Sequence, residues 1–534
     1  MKKNIIITIS SVWAVFILNS CIELDTAPLN SDTDLTYWQQ PSSAIETVNS
    51  CYRWIGSANE IIYLEGTTDN AYVRNGNTQS IGNGSYSTAD NYVASFWSDR
   101  YAGIKMCNQL TQNIQHVPGL TDELRNRYLA EARVIRALHY HELAIRYGNI
   151  PYFTHVISVQ ESGTIEKSTR ETVIANILSE LDEVLNGNHL PKSYSASDRG
   201  RITHWAAKAL KARILLNEGR YAELISITGD IIANSNHELH LEYEQLFQTD
   251  YENNKEVMIS IQYALNLREN QGNYQFLPPS LAGIANIVPL KSLVDNYIML
   301  NGKGIDEEGS GYLESDPWKD RDPRLAATIC YDGGHYVRAN GDEHVVLTDP
   351  SSGSNDRLQP GTSVITTTTG YYFKKYYDNH ATTAQKSGLD YIIIRYADVL
   401  LMHAEACAET GTLNAQEWDK TIGKIRQRAG FTLASAIGFP EGKSQQELIN
   451  IVRRERRAEL AFEGLRLKDI VRWRTSDNVM NGKVHGMYIG DVTGTENGYY
   501  VVETRVFDKA RHYLWPMPQS EKDINENLGQ NPGW

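Results

Sequence analysis

An apolar periodicity that organises the chain lies between Ser444 and Trp473, SQQELINIVRRERRAELAFEGLRLKDIVRW. Leu448, Val452 and Phe462 recur at helical spacing and predict one apolar face. Ser444 followed by Glu447 is a helix start signal, because the hydroxyl caps the free amides while the carboxylate reaches back. Glu455 and Glu459 fall in the middle of the same apolar face, where a carboxylate is costly unless it is paired or well hydrogen-bonded. Gly464 then interrupts the pattern, and 465–473 reads as a second helical segment carrying Arg466, Lys468, Arg472 and Trp473.

Similar periodicity predicts helices from Pro41 to about Trp54, over 97–115, over 121–147 and over 171–185. Residues 202–235 read as a helical hairpin, with Ala206, Ala207, Ala209 and Ala212 letting a partner helix approach and Gly219 in the turn. The run ALKARILLNEGRYAEL is similar to a tetratricopeptide unit, and 396–429 repeats the idea. No clean 34-residue period runs through the chain, so the expectation is a mostly α fold. Degenerate tetratricopeptide-like helix pairs form its frame, with long irregular loops and a few short strands. In the helix opening at Tyr396, Asp398, Glu405 and Glu409 form an acidic stripe. Arg395, Arg456, Arg457 and Arg466 are its candidate cations, which predicts that the two regions pack through buried or half-buried ion pairs.

Between the helices lie stretches without clear period: 60–94, 266–320, 333–390 and 478–506. Loops of this length are functional surfaces or disordered segments, and these carry aromatics, which disordered segments lack. Tyr is abundant, at 31 of 534 residues. A tyrosine or tryptophan ring covers the apolar face of a sugar, while Asp, Asn and Arg hydrogen-bond its hydroxyl rim. Asp69, Asn70, Tyr72 and Arg74, Asn273 and Tyr274, and Trp318 offer that mixture and are the candidate ligand contacts. For any single one of them the competing reading is a place in a loop core.

Charge excludes one class of partner. The formal net charge is −14, and no basic run of useful length appears, which argues against nucleic acid. Residues 1–20 read as a signal peptide, with Lys2 and Lys3 before the apolar stretch 5–18. Leu18-Asn19-Ser20-Cys21 has the form of a lipobox, so Cys21 is the candidate lipid anchor and 21–40 a tether, ahead of one globular unit over 41–534. That unit divides into an N-terminal helical part, 41–260, and a C-terminal part, 261–534, carrying ligand loops and the signature helices. No later stretch reaches the roughly 18 apolar residues of a spanning helix. Cys51, Cys107, Cys330 and Cys407 are widely spaced and read as buried small hydrophobes. No CxxC, HExxH, GxSxG or Walker loop is present, and no cofactor or metal is expected. His139-Tyr140-His141-Glu142 places neighbours on different helix faces and reads as structural.

Three segments together carry a family resemblance. ERRAELAFEGLRLKDIVRW, IRYADVLLMHAEACAETG (394–411) and YLWPMPQSEKDINENLGQNPGW (513–534) resemble the SusD/RagB family of outer-membrane nutrient-binding lipoproteins of Bacteroidetes. Asp322-Pro323-Arg324 is similar to the family's DPR motif, which makes nearby Trp318 suspect as framework. Arg395, Asp398, Glu405, Glu455, Arg457, Glu459, Arg466, Trp473 and Trp515 lie within these segments and are expected to be structural. The resemblance implies a lipid-anchored lid at the cell surface. It captures an oligosaccharide, or for some members a peptide, on aromatic-rich loops and delivers it to a SusC-type TonB-dependent transporter without chemistry of its own. Two readings compete: a glycoside hydrolase using a pair such as Glu455 and Glu459, and a helical scaffold whose only ligand is protein. If Cys21 carries the lipid, Cys21→Ala is expected to move the protein from the membrane fraction to the soluble fraction on cell fractionation. Retention equal to wild type would count against the anchor.

Overall fold

The computed structural model describes residues 34–359 and 365–534. The signal segment, Cys21 and most of the tether lie outside the described residues. The frame is a succession of packed helix pairs. Asn91–Asn113, whose N-terminal amides are capped by Asp90, packs along Asp122–Tyr147, capped by Thr121. Ser43–Arg53 lies against both, and Arg170–Gly187 against the second. The alanine-rich hairpin follows as His204–Asn217 and Tyr221–Asn234, with Gly219 at φ +65° in the turn, a conformation glycine adopts without penalty. Tyr396–Glu409 packs on Tyr221–Asn234, and Gln445–Glu459 packs on Tyr396–Glu409. The last of these helices begins with a complete capping box between Ser444 and Glu447.

Strands are short and scattered. Val257–Ile261 pairs antiparallel with Tyr391–Arg395, Ala71–Val73 with Ile287–Pro289, and Gly482–Tyr488 with Tyr499–Arg505 in a hairpin. Residues 60–94 are not the irregular loop the sequence pattern predicts. They hold most of the helix Ala58–Glu65, the strand Ala71–Val73, the helix Asn77–Asn83 and the start of Asn91–Asn113. The polar residues of this stretch obscured its order because they bond inward. Cys51, Cys107, Cys330 and Cys407 are buried free thiols.

A buried ion cluster joins the C-terminal elements. Arg395 reaches Glu256 and Glu459 at 2.7 Å each, and Glu463 at 2.8 Å. Arg324 contacts Asp322 and Glu455 at 2.7 Å and Glu459 at 2.9 Å. Arg426 holds Glu455 at 2.8 Å, Arg428 holds Glu256 at 2.9 Å and also Glu459, and Lys375 holds Glu463 at 2.7 Å. Five cations (Arg324, Arg395, Arg426, Arg428, Lys375) thus meet five carboxylates (Glu256, Asp322, Glu455, Glu459, Glu463). Burial alone would raise the Glu459 carboxyl, but Arg428, Arg395 and Arg324 outweigh it and hold it well below the usual range. Beside this cluster, Asp398 joins Arg213 at 2.5 Å to Arg456 at 2.6 Å, and Glu405 accepts from Arg472 and from the Trp473 indole at 2.6 Å. Trp515 packs edge-on against Phe96 and Tyr147.

Breaking such a cluster from one side leaves charges buried without partners. Arg395→Leu is expected to lower unfolding free energy by about 3–5 kcal/mol in urea titration, far beyond the loss of a surface ion pair. A second expectation concerns acid. His139 and His141 are fully buried, and neither ring nitrogen of either has a hydrogen-bond partner among the described residues. Burial pushes His141 down to about 3 and His139 well below its ordinary value. Both stay neutral in the fold, while the unfolded chain binds protons near pH 6.5. Their contribution is therefore complete above about pH 6.5 and lost as pH falls, for His141 by about 2 kcal/mol at pH 5 on the way to its folded value of about 3. The drop in melting temperature between about pH 7.5 and about pH 5 should be smaller in His141→Gln than in wild type.

Candidate functional site

Most of the ligand contacts predicted from sequence face inward. Asp69 is bound by Arg466 at 2.8 Å and Arg457 at 2.9 Å, and is buried. Asn70 donates to Glu65 at 2.7 Å and accepts from Arg457 at 2.8 Å. Tyr72 lies in a strand pair opposite Val288, and Arg74 donates to the Ile284 carbonyl at 2.8 Å; both are buried. Asn273 clasps the backbone of Asp378, donating to its carbonyl at 2.7 Å and accepting from its amide at 3.1 Å. These five residues present almost no surface to a ligand. Tyr274 is 38% exposed and Trp318 is half-buried.

Trp318 is the one that leads to a surface. Its ring stacks on Tyr331, with centroids 3.9 Å apart and planes at 12°, and Tyr371 meets it edge-on at 6.2 Å. The segment carrying it is fastened by Arg321, whose guanidinium donates to the carbonyls of Pro317, Val294 and Tyr297 at 2.7–2.9 Å. Arg321 also lies over the Tyr312 ring at 5.4 Å. The Tyr312 hydroxyl donates to Glu314 at 3.1 Å, and the Tyr499 hydroxyl donates to the same carboxylate oxygen. Lys291, paired with Asp295, stands 4.2 Å from the Tyr499 ring centroid, and Tyr488 meets Tyr499 edge-on at 5.5 Å. Burial and the neighbouring Glu314 charge raise the Tyr499 and Tyr312 phenols, so both remain donors. Tyr488 is 48% exposed, Tyr312 and Tyr499 are half-buried, and Glu314 is exposed. Three sequence-distant segments thus build one face of rings around a carboxylate. Sequence reasoning placed Tyr312 and Tyr499 inside aromatic-bearing loops but had no means of pairing them across the 187 positions between them.

The two carboxylates considered for cleavage lie elsewhere. Glu455 and Glu459 are buried, clamped by arginines and held ionised, which leaves no proton for a leaving group and no room for a sugar. A Ser–His–Asp group unforeseen from sequence does occur. Ser280 Oγ lies 2.7 Å from His344 Nε2 and also bonds Asp356. Arg338 donates to His344 Nδ1 at 3.0 Å, and arginine has only donors. The neutral imidazole therefore carries its proton on Nε2, facing the serine, which is the wrong tautomer for a general base. Among the described residues no group of three His, Cys, Asp or Glu side chains is arranged to hold a metal, and no helix is long and apolar enough to cross a membrane.

The model of the SusD family matches residues 243–534, the half that holds the ion cluster and the aromatic face. The chain belongs to the SusD family. A second family model, described as starch-binding and associating with the outer membrane, matches residues 39–216. Among curated SusD relatives, SusD-like protein P25 of Formosa agariphila is 24% identical, over 98% of this chain and 97% of its own length. The starch-binding protein SusD of Bacteroides thetaiotaomicron is 24% identical, over 79% of this chain and 75% of its own. Among solved structures, a SusD-like carbohydrate-binding protein of Bacteroides fragilis superposes with a TM-score of 0.84 at 28% identity, covering 92% of this chain and all of that one. A laminarin-binding SusD-like protein superposes at 0.71 with 21% identity, which shows the shared SusD fold.

Proposed function

We propose that this chain is a cell-surface lipoprotein that captures an oligosaccharide on the face built by Tyr312, Glu314, Trp318, Tyr488 and Tyr499, and passes it to a SusC-type TonB-dependent transporter. The observation that carries the binding reading is the arrangement of ring faces around the exposed Glu314 carboxylate. Rings cover the C–H faces of pyranoses, and the carboxylate accepts from their hydroxyls. Curated relatives and neighbours named for starch, laminarin and carbohydrate binding support the ligand class. Anchoring at the outer membrane rests on the lipobox at Cys21 and on the second family model's description.

The test is a glycan panel screened with the purified mature chain, scoring binding and new reducing ends together. Binding without cleavage is expected for at least one polysaccharide. Tyr312→Ala and Tyr499→Ala are each expected to weaken it about tenfold, the loss of one ring contact and its hydroxyl bond. Release of reducing ends by the pure protein would make it an enzyme. Unchanged affinity in a Tyr312→Ala, Trp318→Ala, Tyr499→Ala triple variant would move the site elsewhere. If no glycan binds and only the transporter co-purifies from membranes, the scaffold reading wins.

A further inference from the structure

Away from the aromatic face, a half-open cleft of about 740 Å³ is walled by helix ends and the C-terminal segment. It runs between the end of Asp122–Tyr147, the start of Arg170–Gly187, the turn after His204–Asn217, the helix Arg466–Arg472 and residues 509–515. Seven lining residues are Lys or Arg and two are Glu, in a chain whose net charge is −14. Several of the cations are committed: Arg170 to Glu218 at 2.6 Å, Lys468 to Glu142, and Arg472 to Glu405 and Asp469. Others are not. Among the described residues, neither Arg474 nor Lys509 has a carboxylate within ion-pair distance, and both are exposed. Arg474 lies 4.6 Å over the Tyr513 ring. Arg511 comes no nearer than 3.7 Å to Asp508. Arg146, buried among the lining residues, bonds Glu142 through Nη1 and lies 4.4 Å over the Phe96 ring, while its Nε and Nη2 have no hydrogen-bond partner among the described residues.

A surplus of cations in a concave, partly desolvated site focuses positive potential and concentrates anions. Guanidinium forks favour planar or tetrahedral oxyanions over isolated charges. The remaining lining suits a sugar. Asn149 Nδ2 and Asn217 Oδ1 make no bond within the described residues, and supply one donor and one acceptor for hydroxyls. The walls contain no strand edge on which a peptide could add a strand. We infer that this cleft is a second binding site, for an oligosaccharide bearing carboxylate or sulfate groups, separate from the aromatic face.

The test titrates the purified mature chain with four probes: a galacturonate oligomer, a sulfated chondroitin oligomer, a neutral glucan oligomer and an oligoglutamate peptide. One of the two anionic sugars is expected to bind, and which one identifies the charged group. Its affinity should fall several-fold between about 50 and about 200 mM salt. It should fall about tenfold in an Arg474→Gln, Lys509→Gln double variant, two exposed changes that should leave the melting temperature within about 1–2 °C of wild type. Tyr312→Ala should leave it unchanged, which separates this site from the aromatic face whether or not that face binds glycan. Binding of neither anionic sugar, binding insensitive to the double variant, or tighter binding of oligoglutamate would each overturn the assignment.

Discussion

The C-terminal elements of this molecule hang from one interaction, the closure of Arg395 on Glu256, Glu459 and Glu463. Taking an ion out of water is unfavourable by several kcal/mol even after relaxation, so a charge remains buried only where its partners are fixed. Here they are fixed by different elements: Glu256 just before one strand, Arg395 at the end of its neighbour, Glu459 at the end of a helix, and Glu463 in the turn that follows. The turn is held as well by Phe462, at φ +63°, stacked 3.8 Å from Phe373. A residue with a side chain in that region is tolerated only where surrounding contacts over-determine it, and the ring stack and the ion cluster together do so. Such a cluster adds little net stability over apolar packing, but it allows few alternative arrangements of the segments it joins.

The aromatic face inherits its geometry from that closure. Arg324, clamped to Asp322, Glu455 and Glu459, begins a short helix whose preceding residues are Trp318 and Arg321. Arg321 then fastens the segment to the carbonyls of Val294 and Tyr297, close to Lys291 and Asp295. A chain of buried charge and backbone bonds thus runs from the helix Gln445–Glu459 to the ring of Trp318. Rings held before the ligand arrives lose less entropy on binding, so a shallow face can bind without a deep pocket.

What the sequence made legible follows from the range of the forces involved. Helices, the capping box at Ser444 and the hairpin over 202–235 are written in neighbours three and four apart, and the structure reproduces them within a few residues. The same periodicity says that Glu455 and Glu459 point inward but not toward which cation. Glu455 meets Arg324 and Arg426, neither among the arginines that its own stretch suggests. The segment 69–74 misleads for a related reason. Asp, Asn, Tyr and Arg have the composition of a sugar site, and they have the same composition when Asp69 closes on Arg457 and Arg466 almost 400 positions away. Burial is a property of the tertiary partner, and no local pattern encodes it. Tyr312 and Tyr499 were hidden by the same distance.

The distribution of charge is the last constraint these elements impose. On the aromatic face Lys291 is neutralised by Asp295 and Arg321 is spent on carbonyls, while the carboxylate among the rings, Glu314, is exposed. A uronate or sulfate would meet repulsion there, and a neutral hydroxyl rim would meet acceptors. In the cleft the balance is reversed: seven cations face two acids, Glu218 is taken by Arg170, and neither Arg474 nor Lys509 has a carboxylate within ion-pair distance among the described residues. With the two assignments proposed, sites of opposite sign on one frame would discriminate by repulsion as much as by attraction, and a ligand suited to one would be disfavoured at the other.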